Sequence, residues 1–113
     1  MIDQKNTDLV EIGILSKPHG LRGEIKLNLH SPDSNLIINI KEVYIDSIVF
    51  KVSAPGHPFL IKLKPGTGKK NLVENVNNNG VAKGVIEWVP TEPGTYYYQC
   101  LKHKGMVGKI IIS

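Results

Sequence analysis

The sequence predicts an all-β protein. Eight short runs combine β-branched or aromatic residues with alternation of apolar and polar side chains, Pro, Gly, Asn and Asp bound them, and no stretch carries a convincing helical period. Runs of this number and spacing indicate a β-sandwich or barrel. Residues 10–14, 24–29 and 40–45 are the first three, and the β-branched run 48–52 is the fourth. The fifth, 59–63, follows the sharp turn Ala54-Pro55-Gly56-His57-Pro58. The sixth, 84–89, emerges from the Asn-rich connection Glu74-Asn75-Val76-Asn77-Asn78-Asn79-Gly80. The seventh, 95–100, carries three tyrosines, and residues 109–112 complete the set. Residues two apart in a strand share a face, so Tyr96, Tyr98 and Cys100 point one way and Tyr97 and Gln99 the other. Cys100 can thus face inward at the end of its strand.

Length bounds the architecture. A chain of 113 residues buries one core and not two. Hydrophobic content of 41% against 21% charged residues argues for a folded domain rather than disorder. A single cysteine excludes an internal disulfide. No apolar stretch approaches the roughly 20 residues of a membrane helix, and the first 15 residues lack the pattern of a secretory signal.

Charge is divided unevenly. Residues 1–53 hold six basic and seven acidic side chains, whereas 54–113 hold eight basic and three acidic. The lysines of the second half, Lys62, Lys64, Lys69, Lys70, Lys102 and Lys104, are placed to steer an acidic protein partner, or simply to solvate the surface. Nucleic-acid binding is disfavoured by the single arginine and by the lack of aromatics interleaved with the lysines. Lys64-Pro65-Gly66-Thr67-Gly68-Lys69-Lys70-Asn71 fails as a phosphate-binding loop, because Leu63 and Lys70 stand where that motif needs Gly and Ser or Thr. It reads as a Pro/Gly turn.

Chemistry concentrates near the C-terminal end. In Cys100-Leu101-Lys102-His103-Lys104-Gly105-Met106 the only cysteine is followed at three-residue steps by a histidine and a methionine. A thiolate, an imidazole and a thioether are soft ligands that select copper, and a site of two His, one Cys and a long axial Met supports electron transfer. A second histidine has to come from elsewhere. His57, in its turn at the end of a β-branched run, is the best candidate, with His19 and His30 as the alternatives. Each residue also has an ordinary role, cysteine and methionine as core filler and histidine as a satisfied surface group. Their spacing on one loop behind an aromatic strand favours the metal.

From about residue 47 to 113, roughly 60% of the chain, the sequence resembles the cupredoxins, the plastocyanin-like class of small blue-copper proteins. The resemblance rests on Gly56-His57-Pro58-Phe59, Asn78-Asn79-Gly80, Gly84-Val85-Ile86, Pro93-Gly94-Thr95-Tyr96-Tyr97-Tyr98-Gln99-Cys100 and Met106-Val107-Gly108-Lys109-Ile110. It implies a Greek-key β-sandwich and one copper ion held by His57, Cys100, His103 and Met106. It also implies an electron carrier rather than an enzyme, cycling between Cu(I) and Cu(II) with a protein redox partner, working outside the cytoplasm. Copper storage or delivery is a variant of the same expectation. One position departs from the family: the residue after the first ligand histidine is Pro58, with no backbone N–H, where many members carry a bracing asparagine.

Residues 9–52 tell a second story. Lys17-Pro18-His19-Gly20-Leu21-Arg22-Gly23-Glu24, inside the run that begins Val10-Glu11-Ile12-Gly13-Ile14, resembles the opening of the ribosome maturation factor RimM family, whose first domain is a small β-barrel. That resemblance implies a cytoplasmic module binding ribosomal RNA or protein, with His19 and Arg22 shaping or contacting through the loop. Two partial folds cannot each close a core in this length. The expectation is one composite β domain over 1–113, in which residues 1–46 supply the early strands of a sandwich completed by 47–113.

Overall fold

Alternating apolar side chains need a facing layer, and here two sheets provide it for each other. The structure, a computed structural model, describes residues 8–16, 20–29, 37–40 and 47–113. Its strands are β1 (Leu9–Ser16), β2 (Gly20–Asn28), β3 (Ile37–Ile40), β4 (Ser47–Ser53), β5 (Phe59–Lys62), β6 (Val76–Asn77), β7 (Lys83–Trp88), β8 (Gly94–Cys100) and β9 (Val107–Ile112). One sheet runs β2-β1-β4-β7-β6 and the other β3-β9-β8-β5. Among the described residues there is no helix, and so none long and apolar enough to cross a membrane. The fold is all-β with two sheets, as a β-sandwich requires.

Register explains the core. Val10, Ile12 and Ile14 of β1 lie opposite Val52, Phe50 and Ile48 of β4, and Phe50 and Ile48 lie opposite Ile86 and Trp88 of β7. Cross-strand apolar pairs of this kind are what stabilise a sheet face. In the second sheet Ile38 and Ile40 pair with Ile110 and Ile112, and Tyr98 pairs with both Ile61 and Gly108. Phe59 lies 5.6 Å from Phe50 and stacks on Tyr98 at 5.4 Å, while Trp88 meets Tyr96 edge-on at 4.8 Å. These aromatic pairs sit within the separations at which ring contacts add to simple burial.

The strands on either side of position 47 share both sheets. β1 pairs along its length with β4, and β3 runs parallel to β9. The hairpin of β1 and β2 slips by one residue after Gly13, leaving Gly23 as the extra residue between Arg22 and Glu24, the arrangement of a β-bulge. The third described strand is Ile37–Ile40; of the expected run 40–45 only Ile40 is described, and residues 41–45 fall outside the described residues.

β5 departs from the expected alternation, since all four of its residues are buried. The chain after it folds back along its free edge. Leu63 N donates to Asn71 O, Val73 N to Ile61 O and Gly80 N to Phe59 O, and the Asn79 side chain both accepts from Ile61 N at 2.8 Å and donates to Ile61 O at 3.0 Å. Asn71, Asn75 and Asn78 take left-handed backbone angles in this cover, a conformation asparagine tolerates better than most residues. Lys62 is consequently not a surface lysine, correcting the expectation that it helps steer a partner. It is 1% exposed, and its ammonium donates to the carbonyls of Gly66 at 2.6 Å and Gly68 at 3.0 Å. Burial lowers its pKa from the ordinary lysine value.

Candidate metal centre

The site forms where a turn leaving β4 meets the end of β8. Ala54-Pro55-Gly56-His57 closes with His57 N donating to Ala54 O at 2.8 Å, and Gly56 has φ of +85°. Proline second and a positive-φ glycine third are the requirements of a type II turn, so this local sequence alone presents His57. Two residues later Phe59 pairs with Cys100, which brings the end of β8 beside the turn.

The Cys100 loop is held at both ends. Cys100 N donates to Met106 O at 2.9 Å, Met106 N to His103 O at 3.0 Å, and Leu101 N to Pro58 O at 3.0 Å. Pro58 lacks an N–H to offer, yet its carbonyl ties the His57 turn to the Cys100 loop. Cys100 is 1% exposed, His57 is half-buried and His103 is exposed. Met106 is half-buried and packs against the core.

Three ligand atoms converge. His57 Nδ1 lies 3.2 Å from His103 Nδ1, Cys100 Sγ lies 3.3 Å from His103 Nδ1, and Cys100 Sγ lies 3.7 Å from His57 Nδ1. Ligand bonds of about 2.0–2.1 Å to nitrogen and about 2.3 Å to sulfur place such atoms about 3.3–3.8 Å apart around one ion. The cluster fits that pattern and can hold a metal ion, all its ligand atoms lying within 4.8 Å of one another. His19 and His30, the alternatives to His57, fall outside the described residues.

Gln99, not singled out from the sequence, braces the site from the far side of its strand. It is fully buried. Its Oε1 accepts from Gly66 N at 2.9 Å, and its Nε2 donates to Cys100 O at 3.1 Å and His103 O at 3.0 Å. Gly68 N adds a bond to Leu101 O at 3.0 Å. The turn of residues 64–68 is thereby fastened to the ligand loop, and an outward-facing glutamine beside a Gly-rich turn is the only sequence signal of it. Gln99→Leu keeps most of the volume but orphans the buried Cys100 carbonyl, at about 1–3 kcal/mol, while Gly66 N and His103 O are open enough to turn to water. A loss of about 2 kcal/mol is expected in urea unfolding, and a variant as stable as the parent would show the brace to be idle.

The protein so defined has two facing β-sheets with a His–Cys–His cluster at one pole. No protein-family model, curated protein or solved structure matches the chain.

Proposed function

We propose that this chain is a copper-binding electron carrier of the cupredoxin type, with His57, Cys100 and His103 as the strong ligands and Met106 as the weak axial one. The observation that carries the reading is the meeting of one thiol and two imidazole nitrogens at spacings an ion would fill. Sulfur and imidazole together favour copper or zinc over hard cations, and a thioether three residues beyond His103 favours copper. Copper bound there supplies one-electron exchange between Cu(I) and Cu(II).

The protein's own contribution is enclosure and access. Burial of Cys100 keeps water from its sulfur, and the exposed ring of His103 provides an edge through which a partner exchanges electrons. Lys64, Lys69, Lys70, Lys102 and Lys104 are all exposed, and the Gly68-to-Leu101 bond joins their two loops at this pole. Such a collar attracts an acidic protein and raises the encounter rate in a salt-sensitive way.

The deciding experiment is a visible absorption and EPR titration with Cu(II). An intense blue or green thiolate-to-copper band with narrow hyperfine splitting is expected, and a protein that stays colourless with weakly held copper sinks the proposal. Met106→Leu should keep the band but raise the reduction potential, since losing an axial donor favours Cu(I). Voltammetry of the two proteins makes the comparison; equal potentials would remove Met106 from the ligand set.

A further inference from the structure

Histidine has two ring nitrogens, and only one of those of His57 faces the His–Cys–His cluster. Nδ1 faces Cys100 Sγ and His103 Nδ1, while Nε2 lies 3.5 Å from Oδ2 of Asp8. The two side chains are 13% and 21% exposed, so their contact is largely withdrawn from solvent. At that distance, longer than an optimal N–H···O bond, the pair acts through charge and orientation.

The approach of Asp8 is built into the sheet. Asp8 immediately precedes β1, whose first residue, Leu9, pairs with Ser53 at the end of β4. Asp8 thus lies beside the turn that presents His57. The backbone of Asp8 is also anchored, its carbonyl accepting Leu29 N at 3.0 Å. The segment whose sequence differs in character from the rest of the chain therefore does more than fill the first sheet. It delivers a carboxylate to the back of a ligand ring.

We propose that Asp8 is a positioning residue of the metal centre, an inference that rests on the metal reading above. Its negative charge favours the proton on Nε2 of His57, the tautomer whose lone pair is on Nδ1, and so leaves that lone pair facing the position shared with Cys100 and His103. Carboxylates behind ligand histidines act in this way, fixing tautomer and orientation and making the ring a stronger donor. The negative charge across the ring also stabilises the more oxidised state of a metal held on the other side.

The test separates positioning from simple stability. Long-range proton–nitrogen spectra of the metal-free parent, Asp8→Asn and Asp8→Ala, recorded where the imidazoles are neutral, report the tautomer of His57 directly. The Nε2–H form, which already leads in free histidine, should be nearly exclusive in the parent and fall toward the free-histidine ratio in both Asp8→Asn and Asp8→Ala, which remove the charge. With copper, Asp8→Ala should bind about 10- to 100-fold more weakly, and Asp8→Asn should keep the visible band at a raised potential. An Asp8→Ala protein with the parent's tautomer ratio and the parent's copper affinity overturns the proposal. Should copper give no band in any of the three, the metal reading falls by itself, and the tautomer spectra still decide whether Asp8 sets the ring.

Discussion

Cys100→Ser should abolish the intense visible band and weaken copper binding by orders of magnitude while leaving the protein folded. The band depends on charge transfer from a thiolate sulfur, and Cys100 is the only cysteine in the chain, so no neighbouring residue can substitute. A serine hydroxyl at the same position is a hard, neutral donor that stays protonated at neutral pH. The fold should tolerate it: the side chains are nearly isosteric, the backbone bond from residue 100 to Met106 O is untouched, and His103 Nδ1, 3.3 Å from the sulfur, is available to a hydroxyl. Burying that hydroxyl costs on the order of 1–2 kcal/mol. Copper titration followed by absorbance, with a thermal melt of the same sample, makes the measurement. A retained band would mean that sulfur is not its source.

Gly108→Ala is expected to be the most damaging single-methyl change outside the site. Gly108 lies opposite Tyr98 in the β8–β9 ladder, and a Cβ there would overlap the Tyr98 ring and hydroxyl. The ring cannot step aside, because it is fully buried and stacked on Phe59. Overpacking of this kind costs typically 1–3 kcal/mol; with an aromatic ring as the obstacle, about 3 kcal/mol is expected. Gly105→Ala is the matched control, since a Cβ at Gly105 meets nothing within 4 Å. Urea unfolding of both variants tests the contrast. Equal stabilities would show that the sheet absorbs the methyl by shifting, and that the tyrosine is not held as rigidly as its burial implies.

The Gly108 substitution also bears on the site, because Tyr98 is two residues from Cys100 on the same face. Displacing its ring disturbs the strand that carries the sulfur, so Gly108→Ala should also broaden or shift any copper band.

How far the sequence foretold this molecule depends on the range of each signal. Alternation and β-branching are local, and they located most of the strands to within a residue or two. The turn around Pro55-Gly56 and the spacing from Cys100 to His103 are also local, and the three residues they present, His57, Cys100 and His103, do meet. Alternation tells which way a side chain points but not what covers it. Lys62 points away from the inner face, and only the return of residues 64–81 along β5 makes it buried. β6 has two residues, too few to show a period. Asp8 carried no signal at all, because its approach to His57 is set by the pairing of β1 with β4, more than forty residues downstream in the sequence.

His57 sits on the link that passes from the first sheet to the second, whereas Cys100 ends a strand of the second sheet. An ion held by both joins points 43 residues apart along the chain. For the unfolded chain this is a cross-link. Closing a loop of that size removes about 4 kcal/mol of chain entropy, by the same loop-closure relation that applies to disulfides. A protein with one cysteine can thus gain through a metal the constraint on its denatured state that a second cysteine would otherwise supply, and the constraint is reversible, present when the ion is bound and gone when it leaves.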